Sequence, residues 1–432
     1  MPTLMRAIGE EEDAMVREDS EGERGDHVSG PAHAHKEHGP RDSAHKQPEP
    51  VSWEKYWDQQ LKIHLPDRGG TFNVYSTGPE DAPVVMCLHG AGYTGLTWSL
   101  VATRLKEKGF RVMAPDLRGH GLTTTDNDKD YCKETLSADV VALWHHMFGP
   151  ATVSSTPSST QPPESATTST TAPLQPSAVP STAGEGAPAA AAPAKPPPII
   201  RPAVPAQAGR PTVVVGHSMG GGIAVWAAAG NRIPGLAGLV VVDVVEGTAV
   251  AALPHMMGVI AARPASFTSP SAAISWSLRG GMCRCKDAAA VSLPSQLHPS
   301  GTPEHAEAVP GEGSGPWVWR TQLVDTRPHW EGWYTGLSEA FLQVAGPKML
   351  MLAGTDRLDK PLTIGQMQGK FQLVLLPTAG HAIQEDESRA TAEHLEGFLK
   401  RFRVGQPPMV IPRAPPGTAR VLPVVAGPVL QP

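Results

Sequence analysis

The sequence predicts an α/β fold in which a mostly parallel sheet is covered by helices on both faces. Three observations carry that expectation. Apolar runs with no alternating polar face recur along the chain, in APVVMCLHG, GFRVMAPDL, PTVVVG, GLVVVD and PKMLMLAG, and strands buried on both faces read this way. Segments with helical spacing separate these runs, the order expected of a layered α/β domain. Finally, Gly216-His217-Ser218-Met219-Gly220 follows the strand-like PTVVV. A serine between two glycines at such a junction lets strand and helix crowd together while the hydroxyl projects outward.

Taken in order, residues 1–50 are charged and apolar-poor, so too little surface can be buried to offset the entropy of ordering, and a disordered tail is expected. His33, His35 and His38 within it lack a cysteine partner or a fixed geometry for a metal and read as a solvated tail. Residues 51–149 form the first part of the core. From Thr71, FNVYSTG and APVVMCLHG read as a strand pair, Trp98 to Lys108 as a helix, GFRVMAPDLRGHG as a strand ending in a loop, and Leu136 to Met147 as a further helix. Residues 150–209 are almost wholly Ser, Thr, Ala and Pro, a composition expected to be disordered and to build no packed core. An insertion this long is tolerable because closure entropy grows slowly with loop length.

The second part of the core spans 210–403. The small-residue run GGIAVWAAA reads as a helix suited to close packing on a sheet. Strands follow in GLAGLVVVDVVEG, PKMLMLAG and FQLVLLPTAGH, and a last helix runs from Arg389 to Arg403. Residues 404–432 are a Pro-rich tail.

Composition narrows the function. The chain has 36 basic and 42 acidic residues, net −6, which gives no basic field of the kind that nucleic-acid binding needs. Cys87, Cys132, Cys283 and Cys285 are too few and scattered for a disulfide framework, and Cys283-Arg284-Cys285 fits neither a zinc knuckle nor a thioredoxin-type pair. They read as reduced thiols in a cytosolic or nuclear protein. The N-terminus lacks the apolar core of a secretory signal, and no stretch of ~18 apolar residues appears that would enter a membrane.

A serine hydroxyl is a poor nucleophile at neutral pH; it needs a histidine to take its proton and an acid to fix that histidine's tautomer. In the α/β-hydrolase order these follow the elbow as serine, acid, histidine. His381, in Ala379-Gly380-His381 after the last expected strand, holds the place of the base. Two aspartates end strands in between, Asp243 in VVVDVVEG and Asp356 in AGTDRLD. Position alone favours Asp356, after the penultimate strand, and either could reach His381 over the carboxyl edge of the sheet. The oxyanion needs two backbone N–H donors. Met219, after the nucleophile, supplies one, and Ala91 of His89-Gly90-Ala91-Gly92 the other, with Gly92 as the next choice. Asp116-Leu117-Arg118-Gly119-His120-Gly121 reads as an architectural turn. Trp317, Trp319, Trp330 and Trp333 fall in residues of about 250–345, where folds of this kind insert a cap.

These residues carry a resemblance. The strings LHGAGYTGLTW, PDLRGHG, VVVGHSMGGGIAV, LVVVDVVEGTA, WEGWYTGLSEAFL, PLTIGQMQGKFQ and LPTAGHAIQED resemble those of the protein phosphatase methylesterases, over most of 50–150 and 210–403. DVVEGTA and LTIGQMQGKFQ are the specific ones, since G-H-S-M-G occurs in many esterases. The resemblance implies an α/β-hydrolase fold with a cap, and removal of the methyl ester from the C-terminal leucine of the type 2A protein phosphatase catalytic subunit, which would be both substrate and binding partner. It implies the triad Ser218, Asp243 and His381, and it needs no metal or organic cofactor. The long 150–209 insert departs from the family pattern. Two other functions stay open at this point: a general carboxylesterase for small esters, and a mainly non-catalytic protein that sequesters inactive phosphatase.

Overall fold

Residues 48–149, 209–307, 315–354 and 358–407 are described by the computed structural model. The expected N-terminal tail with its three histidines, all of the insert but Gly209, most of the Pro-rich tail, and Asp356 lie outside them. In chain order the strands are β1 (Gln59–Leu65), β2 (Gly70–Thr77), β3 (Val84–Leu88), β4 (Arg111–Pro115), β5 (Thr124–Thr125), β6 (Thr212–His217), β7 (Leu236–Val242), β8 (Ser266–Phe267), β9 (Leu297–Pro299), β10 (Trp317–Trp319), β11 (Lys348–Leu352) and β12 (Gln372–Leu375). The main sheet runs β1-β2-β4-β3-β6-β7-β11-β12, with β5 alongside β2. From β4 to β12 every pairing is parallel, while β1–β2 and β2–β4 are antiparallel.

Two differences from the sequence reading have physical causes. FNVYSTG and APVVMCLHG are both strands, but they do not pair: β4 lies between them, antiparallel to β2 and parallel to β3. Within residues 51–70 the sequence reading places no strand, yet QQLKIHL forms β1, paired in full register with β2 from Gln59↔Ser76 to Leu65↔Gly70. Its edge position leaves only Ile63 and Leu65 buried, so its apolar pattern is faint.

The central strands lack a polar face because alternate residues supply two different cores. Val84, Met86, Leu88, Val214, Leu239, Val241, Leu350 and Leu352 face one, together with the helices Lys133–Phe148 and Met219–Ala228. Val85, Cys87, Val213, Val215, Val240, Val242, Met349 and Met351 face the other, with the helices Ser99–Glu107 and Ser388–Arg401. Between β7 and β11 the chain builds a cap of short helices and the small antiparallel sheet β8-β10-β9, with its own cluster around Phe267, Ile274, Leu293, Leu297 and Trp319.

Phe398, fully buried in the C-terminal helix, lies against the backbone of β7, where a Cβ at Gly238 would meet its ring at 2.7 Å. Truncation to alanine removes this ring from a buried, close-packed position. Phe398→Ala is therefore expected to destabilise the protein by about 3–5 kcal/mol in denaturant titration, and a loss under 1 kcal/mol would contradict the packing described.

Candidate active site

The strand-to-helix turn at Ser218 is sharp enough to force the serine to φ 52, ψ −123, a region that costs a non-glycine residue about 1–3 kcal/mol. Surrounding contacts hold it there. A Cβ at Gly216 would run into the carbonyl of Gly220, and one at Gly220 into that of His89, so both positions must be glycine for strand, helix and neighbouring loop to come this close. The Ser218 amide donates to the Val242 carbonyl at 2.9 Å, and the Ser218 carbonyl accepts from Gly221 at 2.8 Å.

Asp243 follows β7 and also has positive φ, 51°. Its amide donates to the Met351 carbonyl at 2.8 Å, and its carboxylate accepts from the Ala353 amide at 3.0 Å and from His381 Nδ1 at 2.8 Å. The other ring nitrogen of His381, Nε2, lies 3.1 Å from Ser218 Oγ. Serine, histidine and aspartate are thus collinear in hydrogen-bonding order, with the Asp243 side chain buried and that of His381 about one-fifth exposed. Asp356, the acid that position alone favours, lies outside the described residues.

The His381 loop is tied from two sides. Asp386 accepts from the Gly380 amide at 2.7 Å and from the Arg284 amide of the cap at 2.6 Å. His217 Nε2–H donates to the His381 carbonyl at 2.8 Å, which fixes His217 as the Nε2–H tautomer. His217 was not singled out in the sequence, being the variable residue of the elbow motif. Tyr334 was missed as well, because WEGWY reads as packing. Its phenol, pushed up to about 12 by burial, contacts the Ser218 hydroxyl.

Met219 is the first residue of the helix behind the nucleophile, whose N-terminal amides and dipole favour negative charge. The loop carrying Ala91 passes beside it: a Cβ at Gly90 would sit 3.2 Å from Ser218 Cβ. His89 shapes this loop, Nδ1–H donating to the Gly90 carbonyl at 2.8 Å and Nε2 accepting from the Leu117 amide at 2.9 Å. In the following turn Asp116 accepts from Gly95, Asn73 and Leu122 at 2.8–2.9 Å, and Arg118 grips Asp139 with two nitrogens. His120 is buried, donating to the Arg118 carbonyl, and makes no bond to the three site residues.

Above Ser218 lies a cavity of about 150 Å³, walled by apolar side chains that include Val244, Leu253, Leu323 and Trp330. Trp333 also lines it and donates to the Tyr131 carbonyl, whereas Trp317 and Trp319 belong to the small cap sheet. Among the described residues no group of three or more His, Cys, Asp or Glu could hold a metal ion, and no helix is long and apolar enough to cross a membrane. All four cysteines are free thiols.

Residues 84–394 match the Alpha/beta hydrolase family. The chain is 34% identical over 391 residues to Protein phosphatase methylesterase 1 of Mus musculus, spanning 83% of this chain and 86% of that protein. It is 35% identical over 371 residues to Probable protein phosphatase methylesterase 1 of Caenorhabditis elegans, spanning 85% and 82%. The chain belongs to the protein phosphatase methylesterase family. As a member of that family it is an esterase of the α/β-hydrolase class. Among solved structures, E-2-(Acetamidomethylene)succinate Hydrolase is similar in fold, with a TM-score of 0.52 and 18% identity over 79% of this chain and all of that one.

Burial keeps three histidines around this methylesterase site neutral: His217 falls to about 3, His120 to about 4, and His89 well below its ordinary value. Below pH ~6.5 the unfolded chain takes up protons that the folded protein refuses. Their contribution to stability is complete above that pH and lost as pH falls toward 3. Unfolding free energies measured between pH 7 and 4.5 should decline, and His217→Phe should flatten the slope by up to ~1.4 kcal/mol per pH unit; an unchanged slope would show that His217 titrates freely.

Proposed function

We propose that this protein hydrolyses the methyl ester on the C-terminal leucine of the type 2A protein phosphatase catalytic subunit, with Ser218 as nucleophile, His381 as general base and Asp243 as the acid that orients it. The observation that carries this reading is the unbroken relay from Asp243 to His381 Nδ1 and from His381 Nε2 to Ser218 Oγ, at 2.8 and 3.1 Å, in a chain whose relatives are named as protein phosphatase methylesterases.

The chemistry runs in two stages. Ser218 Oγ attacks the ester carbonyl while His381 Nε2 takes its proton; the oxyanion is held by the N–H groups of Met219 and Ala91. The intermediate collapses as His381 returns the proton to the departing methoxide, which leaves as methanol. Water, deprotonated by the same imidazole, then attacks the acyl-enzyme and releases the leucine carboxylate and Ser218. Asp243 keeps the proton of His381 on Nδ1 and stabilises the imidazolium formed in each stage. No step calls for a metal or organic cofactor.

An apolar cavity above the serine suits a leucine side chain, and methanol needs no large alcohol pocket. Selection of the phosphatase then falls to its tail and surface. With the methylated phosphatase catalytic subunit as substrate, methanol release should be lost by ~10³-fold or more in Ser218→Ala. Efficient turnover of free lipid esters, with none of the methylated phosphatase, would instead mark a general carboxylesterase. If neither the parent nor Ser218→Ala released methanol while both held the phosphatase, the protein would be a binder; methanol release by Ser218→Ala at the parent rate would remove Ser218 from the nucleophile's role.

The acid has its own test. Asp243→Asn should lower turnover by orders of magnitude because the imidazole tautomer is spoiled, whereas Asp356→Asn should act much more mildly. Collapse in the second variant alone would reassign the role to Asp356.

A further inference from the structure

One cation in the cavity has no ion-pair partner among the described residues. Arg263 lines it together with Ser218 and His381. Its guanidinium stacks on the indole of Trp319, 3.7 Å from the ring centroid, which holds the planar group by cation–π attraction but satisfies none of its N–H donors. Nε is buried and has no hydrogen-bond partner. Among the described residues no carboxylate forms an ion pair with it. Burial lowers its pKa to about 10, and the neighbouring phenol of Tyr93 is the group that raises it. Tyr93 is itself held neutral by burial, which pushes its pKa up. At neutral pH the pocket therefore contains a half-buried cation whose buried Nε–H has no partner, in a lining that is mainly apolar and whose one carboxylate, Asp243, is bonded to His381. Two more deeply buried arginines have oxygen partners: Arg118 is clamped by Asp139, and Arg320 donates to the carbonyls of Ser295 and Glu304.

An unpaired buried charge is among the costlier features a fold can carry, and it is recovered when a ligand brings the opposite charge. The ester itself is neutral and cannot do so. We infer that Arg263 is a carboxylate-binding residue of the substrate pocket, pairing its planar N–H edge with an anionic oxygen of the bound peptide. This inference rests on the ester-hydrolase reading above and adds to it the chemistry that the pocket selects. The carboxylate has two possible sources: an acidic side chain upstream of the esterified leucine, or the C-terminal carboxylate that hydrolysis leaves behind. The first would make Arg263 a determinant of substrate choice, the second of product retention.

Two arms separate them, using the full-length protein. In the first, hexapeptides ending in leucine methyl ester carry glutamate or glutamine two, three or four residues before the end, and kcat/KM is read from methanol release. In the second, free-acid and C-terminal amide forms of a neutral hexapeptide compete with p-nitrophenyl acetate, and the ratio of inhibition constants is read. A charge-assisted hydrogen bond predicts a preference of about 10- to 100-fold for the acidic form in one arm. Arg263→Leu should bring that ratio to about one, and Arg263→Lys should restore part of it. Arg263→Gln serves if the leucine variant does not fold, and each ratio is internal to one variant, so a general loss of activity leaves it unaltered. No preference in either arm for the parent protein, or a preference that survives Arg263→Leu and Arg263→Gln, overturns the inference. If the parent releases no methanol from any ester while the free acid still binds preferentially through Arg263, the proposed reaction fails and the carboxylate site stands.

Discussion

Strand β6 and the helix Met219–Ala228 can approach as closely as they do only because residues 216 and 220 have no side chain. That approach bends the backbone at Ser218 into a conformation serine would not adopt alone. It also aims the helix N-terminus, with its free amides and partial positive charge, at the place where a tetrahedral oxyanion would form. Sheet order does the rest. β6, β7 and β11 are parallel neighbours, so the loops that leave their carboxyl ends emerge on one edge, and Asp243 is delivered beside the serine without any long-range folding of the chain.

His381 arrives from further away, after β12 at the rim of the sheet, and the structure spends several contacts to keep it in place. His217 holds its carbonyl from below, and Asp386 ties the preceding glycine to the cap. These ties are polar, two of them part-buried and the one to the cap exposed: a misplaced loop would leave an imidazole, a carboxylate and two amides to find other partners. Asp386 thus links the loop of the imidazole to the cap through one carboxylate.

Much of this was legible in the sequence. The elbow glycines, the strand that precedes them and the glycine–histidine pair after the last strand are short-range patterns with a steric or chemical cause. The parallel sheet could be read because residues that supply two cores leave no polar stripe. Less was visible where the cause is non-local. FNVYSTG and APVVMCLHG carry no mark of the strand that inserts between them. Spacing left Asp243 and Asp356 both open, since reach over a sheet edge is a matter of three-dimensional geometry. His217, Tyr334 and Arg263 stayed hidden for the same reason: each reads as an ordinary loop or packing residue until its neighbours in space are known.

The places where the chain leaves and re-enters the fold around residues 150–208 lie side by side. Trp144, near the end of one helix, fills the space against Gly209, and the Arg210 guanidinium rests over the Phe148 ring, 5.6 Å from its centroid. A seam closed in this way makes length there a nearly free variable. Nothing in the sheet has to shift when residues are gained or deleted between the two points, and a peptide tag, a reporter or a shorter bridge could be spliced across them while the hydrolytic machinery on the opposite edge stayed in register.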